Sequence, residues 1–243
     1  TLEATAFGPV CPQNQATTEL PSSEDCLSLN IWQPSEIPEG ETLPVLVYIP
    51  GGAFIIGSSA VPIGGERPLY DGAYLAASQN LIVVTFNYRL GALGFLAGRA
   101  GLSGNYGLQD QQLAFAWVQD NIAAFGGDPS RVTLMGESAG AQSVALHLLS
   151  VPSSSPFFRA AILQSTPFGI PFQTPAQAGS TAELYLLSVG CKFKFNQLGC
   201  LREKSVEELL AAQNSRYLRL SLVDFGLAAF LTWTPVVDGS LVV

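Results

Sequence analysis

Runs of apolar and β-branched residues that alternate with helical segments most constrain how this chain folds. Residues 43–49 and 81–86 are short, apolar and bounded by turn residues, as buried strands are. Residues 132–135 and 160–163 are shorter runs of the same kind, and the tail 232–243 is predicted to be a loop with one more strand. Strands that alternate with helices imply a parallel or mixed α/β sheet.

The segments between and after these strands have helical character. In the first of them Leu113, Ala116 and Trp117 recur at helical spacing. In the last, Ser205 is followed three residues later by Glu208, the capping-box pattern of a helix start. The predicted helices cover residues 108–121, 139–149, 176–189 and 205–214.

Composition narrows the class of partner. Of the 243 residues 48% are hydrophobic and 12% are charged, enough for one large buried core. No apolar stretch reaches the roughly 18 residues that a membrane helix needs. The formal net charge of −8 repels a phosphate backbone. We therefore predict no membrane span and no nucleic-acid partner.

The four cysteines form two pairs that are close in sequence, and the chain has a single histidine. Because no C-x-x-C motif is present, this pattern favours two disulfides over a metal site. Four buried free thiols are the alternative. Disulfides predict a secreted protein or another oxidising compartment, and neither a metal nor a cofactor is predicted. The cysteines are Cys11, Cys26, Cys191 and Cys200.

Residues 136–140 read G-E-S-A-G and lie between a predicted strand and a predicted helix, the context of a nucleophilic serine. Ser138 on such a sharp turn has a strained backbone, so Gly136 and Gly140 must be small to let the chain pass. The helix that begins at Ala139 brings N–H groups and a positive dipole end beside the hydroxyl. A structural turn is the alternative for the pentapeptide alone.

A second glycine-rich segment, P-G-G-A-F at 50–54, follows the first predicted strand. It resembles the H-G-G-G loop that supplies oxyanion-hole donors in esterases and lipases, with Pro50 in place of the usual His or Tyr. By that analogy the oxyanion hole consists of the N–H groups of Gly52, Ala53 and Ala139. A plain glycine turn is the alternative.

Two longer segments resemble the signatures of type-B carboxylesterases and cholinesterases. One reads E-D-C-L-S-L-N-I-W at 24–32, and the other joins F-G-G-D-P at 125–129 to V-T-L-M-G-E-S-A-G at 132–140. The resemblance implies an α/β-hydrolase fold, with a mostly parallel central sheet flanked by helices. Further segments similar to the family lie at 87–91, 107–111 and 164–165.

The same resemblance implies a function. It implies a serine hydrolase that cleaves a small-molecule carboxylic ester through an acyl-enzyme on Ser138, without a cofactor. It also implies one bridge between Cys11 and Cys26 and a second between Cys191 and Cys200. The alternative is an inactive neuroligin-like binding or adhesion member of the same fold. Such members tend to lose the serine, which is intact here.

The chain departs from the family pattern at several points. Family members have strands before the first cysteine, and their triad acid and histidine lie beyond the segment P-V-V-D-G at 235–239. We therefore expect residues 1–243 to be a partial α/β-hydrolase domain, a fragment without the first strands and the C-terminal half, with a second chain as a candidate partner that completes it. The loop 11–26 has no aromatic residue to stack on choline, so choline-ester specificity is not expected.

His147 must be considered as a general base because it is the only histidine. It lies nine residues after Ser138 on the same predicted helix, roughly 13 Å along the axis. General-base contact needs about 3 Å, so a structural role is predicted.

Other residues near the predicted site have two interpretations. Glu137 either supports the site, as the resemblance implies, or is a buried structural acid. Ser165 resembles a family serine behind the catalytic histidine, or it has no such role. Arg89 and Asp110 are expected to form a buried ion pair. Aromatic and apolar residues after the predicted strand 160–163 either line an acyl pocket or belong to the core: Phe168, Ile170 and Phe172.

Overall fold

The computed structural model describes residues 4–14, 21–63, 67–98, 101–150, 157–215, 218 and 232–242. The strands are β1 (Leu29–Trp32), β2 (Leu43–Ile49), β3 (Pro62–Ile63), β4 (Arg67–Pro68), β5 (Ile82–Phe86), β6 (Gly127–Glu137) and β7 (Ala160–Gln164). The helices are α1 (Ala73–Gln79), α2 (Gly91–Phe95), α3 (Tyr106–Asn121), α4 (Ala139–Leu149), α5 (Pro175–Ser188), α6 (Gln197–Arg202) and α7 (Val206–Gln213), and a 3₁₀ turn covers Ile122–Phe125.

A mixed, mostly parallel sheet forms the centre, in the order β1-β5-β2-β6-β7. Four of these strands run parallel, and β1 pairs antiparallel with β5 at one edge. Every residue of β5 is buried, as expected of an apolar strand that helices cover on both faces. Helix α4 packs on β6 and β7, and α1 packs on β5. This arrangement confirms the predicted α/β sheet.

Strand β6 is longer than the predicted 132–135. It begins at Gly127, which pairs with Leu43, and the register shifts before Val132 pairs with Val45. The sequence hid this first part because the polar residues between the two pairings belong to a bulge, which carries no apolar run.

The buried face of α3 differs from the predicted one. The side chain of Leu113 is 62% exposed, whereas Leu108, Phe115 and Val118 are buried. The buried residues, which also include Gln111, follow a helical repeat of their own, because the orientation of the helix is set by its packing against the sheet. The bounds of the other predicted helices agree with the structure within two residues.

Side-chain caps start the last two long helices. The predicted capping box of α7 is formed, with Ser205 accepting from the Glu208 N–H and the Glu208 carboxylate accepting from the Ser205 N–H. Helix α5 has a second capping box between Thr174 and Gln177, followed by Pro175 at its first position. These contacts explain where both helices begin.

The predicted strand in the tail is wrong for residues 232–242. They contain a single parallel bridge, between Val236 and Gln173. The Asp238 carboxylate accepts hydrogen bonds from the Ser240 and Val242 N–H groups, each at 2.9 Å, and folds the chain into a turn. A side chain that captures backbone donors in this way competes with a sheet ladder.

Both disulfides implied by the family resemblance are formed. Cys11 is bonded to Cys26, and Cys191 is bonded to Cys200. Within the described part of the chain no free cysteine remains. None of the described helices is long and apolar enough to cross a membrane.

Candidate active site

Ser138 occupies the turn between β6 and α4, with φ 55° and ψ −119°. A non-glycine residue with positive φ is strained, and neighbouring contacts must hold it in place. The Ser138 N–H donates to the Gln164 carbonyl of β7 at 3.1 Å, and the Ser138 carbonyl accepts from the Gln142 N–H at 2.9 Å. The serine is therefore held by both elements that pack on its strand.

Close backbone packing explains the two glycines of the pentapeptide. A Cβ atom added to Gly136 would lie 2.4 Å from the carbonyl carbon of Gly140, and one added to Gly140 would lie 2.0 Å from the Ile49 oxygen. The ends of β2 and β6 and the first turn of α4 thus touch through their backbones. This confirms the prediction that both positions must be small.

The glycine-rich segment 50–54 passes directly beside Ser138. A Cβ atom on Gly51 would lie 2.8 Å from the Glu137 carbonyl oxygen and 3.4 Å from the Ser138 Cβ. Gly52 has φ 118°, and a side chain there would collide with the Ile56 carbonyl oxygen at 2.0 Å. Only a glycine fits at position 52.

Two further residues of this segment have a left-handed backbone, Ala53 at φ 55° and Phe54 at φ 62°. Ile55 and Ile56 close the turn by donating their N–H groups to the Gly52 carbonyl, at 3.1 and 3.0 Å. Successive residues of this kind turn N–H groups toward one side of the chain, a geometry that suits anions.

The three N–H groups of the predicted oxyanion hole are Gly52, Ala53 and Ala139. Within the described part of the chain, none of them donates a hydrogen bond. Two come from the turn after β2, in which Gly51 adjoins Ser138, and one comes from the first residue of α4. Such donors are available to an oxygen that develops negative charge.

Buried aromatic contacts hold the glycine-rich segment in place. The Tyr88 hydroxyl donates to the Pro50 carbonyl at 2.9 Å, and burial raises the pKa of Tyr88, so it stays a neutral donor. Phe54 packs edge-on against Phe95 with ring centroids 5.1 Å apart, and its carbonyl accepts from the Gly91 N–H at 2.7 Å. Pro50 therefore has a structural contact of its own.

Glu137 lies beside two tyrosines. The rings of Tyr48 and Tyr70 are 4.7 Å apart, and a Cβ on Gly51 would lie 3.0 Å from the Glu137 Oε2. Burial raises the pKa of Tyr70, and the negative charge of Glu137 adds to that effect. Glu137 is only partly buried, so the carboxylate stands next to the loop that contributes Gly52 and Ala53.

A comparison of the whole sequence with models of known protein families identifies the family. The chain matches the family model of the carboxylesterase family over residues 1–243. It belongs to the carboxylesterase family.

Relatives agree with this assignment. The chain is 47% identical over 222 residues to the "Crystal protein" of Dictyostelium discoideum, covering 91% of this chain and 38% of that protein. It is 42% identical over 247 residues to the bile salt-activated lipase of Rattus norvegicus, covering 100% of this chain and 40% of the lipase.

A solved structure supports the fold. The PNB esterase structure matches with a TM-score of 0.81 and 40% identity, over 98% of this chain and 48% of the esterase chain. The α/β-hydrolase fold is therefore established, and the chain spans less than half of each of these three proteins.

Ser165 follows β7 at the same edge of the sheet as Ser138. Its neighbour Gln164 accepts the Ser138 N–H, and Ser165 itself has φ 49° and is exposed. Gln142 of α4 donates to the Pro167 carbonyl at 3.2 Å and ties this segment to the helix. In the part of the chain that the structure describes, Ser165 lies near the turn and its side chain forms no hydrogen bond with Ser138.

The residues after Ser165 do not form one lining. Phe168 is 77% exposed, whereas Phe172 packs against the core. Ile170 is partly buried between them. The interpretation of Phe168 as a core residue is therefore wrong, because its segment runs along the surface. An acyl-pocket role for Phe168 stays a prediction.

His147 lies at the far end of α4 and is buried. Its Nε2 is 2.7 Å from the Gln111 Oε1, and its ring packs edge-on against Phe115 with centroids 4.9 Å apart. Because the Gln111 Nε2 donates to Ser143 Oγ, the Gln111 oxygen is the acceptor and His147 donates from Nε2. Burial lowers the pKa of His147 to about 3, so it is neutral near pH 7.

Sequence patterns did not reveal the contact between His147 and Gln111. The two residues are on different helices, and a lone glutamine in a helical pattern carries no signal of burial. Gln111, Ser143 and the Ala139 carbonyl form a hydrogen-bonded chain inside the core, at 3.1 and 3.0 Å. Buried polar groups are stable only when paired in this way.

Arg89 and Asp110 form the predicted ion pair, with two contacts at 2.6 and 2.7 Å and a third from the Arg89 N–H at 3.0 Å. Only the acid is fully buried: the Asp110 side chain is 4% exposed and the Arg89 side chain 38%. The guanidinium lies over the Tyr106 ring, 5.5 Å from its centroid. The pair joins the chain after β5 to α3.

No group of three or more His, Cys, Asp or Glu side chains that could hold a metal ion occurs among the described residues.

Proposed function

We propose that the protein is a carboxylic ester hydrolase in which Ser138 is the nucleophile. The observation that carries this proposal is the strained Ser138 on a strand-to-helix turn of a carboxylesterase-family chain, near N–H groups that have no acceptor among the described residues. A serine held away from its own helix and open to a substrate is the arrangement that acyl transfer requires.

The reaction proceeds in two halves. Ser138 Oγ bonds to the ester carbonyl carbon while its proton passes to a general base, and the carbonyl oxygen becomes an oxyanion. The N–H groups of Gly52, Ala53 and Ala139 donate to that oxyanion. The intermediate then collapses, the C–O bond breaks, and the alcohol leaves with the proton. Water repeats the steps on the acyl-serine and releases the acid.

The general base is a histidine outside residues 1–243. His147 is the only histidine in this chain, and it is buried, neutral and paired with Gln111 at the opposite end of α4. In this fold the order along the chain is serine, acid, histidine, which places both partners after Ser138. We propose that Glu137 positions the loop 50–54 and that Ser165 supports the histidine.

The partner we propose is a small uncharged carboxylic ester, and no cofactor takes part in the steps above. The two disulfides are the support for a secreted or otherwise oxidising location, since thiols of reducing compartments stay unpaired. The relative from Rattus norvegicus is a bile salt-activated lipase, and a lipase fits an ester substrate.

Covalent labelling tests the role of Ser138. The protein in its complete form is treated with a fluorophosphonate, digested and analysed by mass spectrometry, and we expect the label on the peptide that contains Ser138. Ser180→Ala is the matched control, because it removes an exposed serine on α5, outside the proposed site. It should leave labelling intact, whereas Ser138→Ala should abolish it.

The same experiment separates the enzyme from a neuroligin-like binding protein. A binding protein of this fold has no need of an activated serine, so the folded, complete form would stay unlabelled and would hydrolyse no aryl ester. Label on any residue other than Ser138 would contradict the proposed mechanism.

A further inference from the structure

Positive charge is concentrated in one short part of an acidic chain, residues 191–204. This segment contains three lysines and Arg202, and its only acid is Glu203. It is therefore strongly basic, whereas the whole chain has a net charge of −8. No other part of the sequence contains lysine. The three lysines of the chain are Lys192, Lys194 and Lys204.

Two phenylalanines in the same segment stand in solvent. Phe193 is 86% exposed and Phe195 is fully exposed, more than any other large hydrophobic side chain among the described residues. Single exposed apolar residues are common on protein surfaces, but two exposed rings two residues apart indicate a contact surface.

The segment is held rigidly before any partner arrives. Cys191 is buried and bonded to Cys200, and its N–H donates to the Leu186 carbonyl at 2.8 Å. The Asn196 side chain accepts the Gly199 N–H at 2.8 Å and caps α6. A preformed loop loses little conformational freedom on binding.

Part of the positive charge is unpaired. Lys192 lies 3.3 Å from Glu183 and Lys204 lies 2.9 Å from Glu208. Lys194 and Arg202 are exposed, and neither forms an ion pair with another described residue. Lys194, which lies between the two exposed phenylalanines along the chain, therefore has no ion-pair partner among the described residues.

We propose that residues 191–204 bind an anionic lipid–water interface, with Phe193 and Phe195 entering the boundary between headgroups and acyl chains. Lys194 and Arg202 contact the anionic headgroups. Aromatic rings flanked by lysines are suited to that boundary, because one end of the contact is apolar and the other carries counter-charge.

The charge distribution and the size of the surface favour a lipid over a protein partner. The rest of the chain has a net negative charge, which an anionic surface repels, whereas the net positive charge of residues 191–204 is attracted to such a surface. A stable protein interface buries roughly 800 Å² on each side, whereas the apolar exposure here is confined to two rings. The proposal does not depend on the role of Ser138.

Vesicle co-sedimentation tests the proposal with the complete protein. We expect binding to vesicles of phosphatidylcholine mixed with phosphatidylserine, much weaker binding to phosphatidylcholine alone, and loss of the difference in high salt. The double variant Phe193→Ser/Phe195→Ser should bind roughly tenfold more weakly, as should Lys194→Gln/Arg202→Gln.

Tyr74→Ser is the matched control, since it removes another highly exposed aromatic residue, on α1. It should bind like the unmodified protein, and all variants should keep the same circular dichroism spectrum and thermal midpoint. The proposal is overturned if the unmodified protein binds neither vesicle, or if the loop variants bind as well as Tyr74→Ser. It is also overturned if the rings instead mediate self-association, seen as a dimer in sedimentation that the double Phe variant abolishes.

Discussion

The two ends of helix α4 contain the two residues of this chain that a search for catalytic chemistry would select first, Ser138 and His147. At the start, the Ser138 backbone is strained, and nearby N–H groups donate no hydrogen bond within the part of the chain that the structure describes. At the end, His147 is buried, neutral and bonded to Gln111. One helix thus holds a candidate nucleophile and an inert histidine.

What separates the two ends is how each is packed. The N-terminal end packs through glycine backbones, which leave the serine at the surface of the sheet. The C-terminal end packs through side chains, and Phe115 and Gln111 enclose the imidazole. Burial and packing therefore distinguish the two residues: the histidine is enclosed by side chains, and the serine is only partly buried at a backbone turn.

The largest expected effect is on turnover. Ser138→Ala in the complete protein should lower kcat for an activated aryl ester by about 10⁴-fold or more, because the nucleophile is lost. His147→Gln should keep kcat within about threefold, because the imidazole does not reach the serine. Steady-state kinetics on both variants measures this. A large loss of kcat in a folded His147→Gln variant would contradict the conclusion that His147 has no catalytic role.

The next largest effect is the loss of stability when a side chain is added near Ser138. Gly140→Ala should reduce the free energy of unfolding by about 4 kcal/mol or more, because its Cβ would collide with the Ile49 carbonyl oxygen. Denaturant unfolding measures it. Gly179→Ala is the control: no atom lies within 4 Å of its Cβ position in α5, so it should be neutral or stabilising by less than about 1 kcal/mol. Equal effects of the two substitutions would contradict the packing described.

At the C-terminal end of α4, His147 should make the free energy of unfolding depend on pH. The pKa of His147 is lowered to about 3 in the folded protein, against an ordinary value of 6.5. Its contribution to stability is thus fully present above pH 6.5 and is lost as the pH falls towards 3, because the unfolded chain takes up the proton first. Between pH 7 and pH 4 the loss is on the order of 3 kcal/mol.

Unfolding curves at several pH values check this prediction. The slope of stability against pH should be shallower in His147→Gln than in the unmodified protein, while the acid response of the carboxylates is common to both. Identical slopes would mean that the histidine is solvated in the folded state.

The smallest effect concerns the link between the two ends. Ser143→Ala removes the hydroxyl that donates to the Ala139 carbonyl and accepts from Gln111, and should cost about 1 kcal/mol of stability. Turnover should stay within about twofold, because the Ala139 N–H is unaffected. Thermal unfolding and kcat together measure this; a tenfold loss of kcat would indicate that the buried chain positions the oxyanion donors.

Local patterns were sufficient for several elements. Strands β2 and β5, the turn at Ser138 and the cap at Ser205 follow from neighbouring residues, because each depends on contacts within a few positions of the chain. The cysteine spacing favoured disulfides, and the family resemblance supplied the pairing that the structure has. The prediction that His147 is not the base also needed only helix geometry.

Other features required the folded chain. The buried stripe of α3 depends on how that helix meets the sheet, so Leu113 was placed on the wrong face. The sequence after residue 232 predicts a strand. In the structure, however, the Asp238 side chain accepts hydrogen bonds from backbone N–H groups that would otherwise pair in a sheet. The spacing of apolar residues along the chain predicts neither the buried face of α3 nor the turn at Asp238.

The sequence by itself determined the class of fold and the position of the strained serine, since strand periodicity and small residues at fixed offsets act over short distances. Only the tertiary structure decided which polar groups face each other: Gln111 meets His147 across 36 positions, and Gly51 meets Glu137 across a longer gap. The physical reason is that pairing between distant residues depends on the close packing of whole elements, to within fractions of an ångström, and no local pattern records that packing.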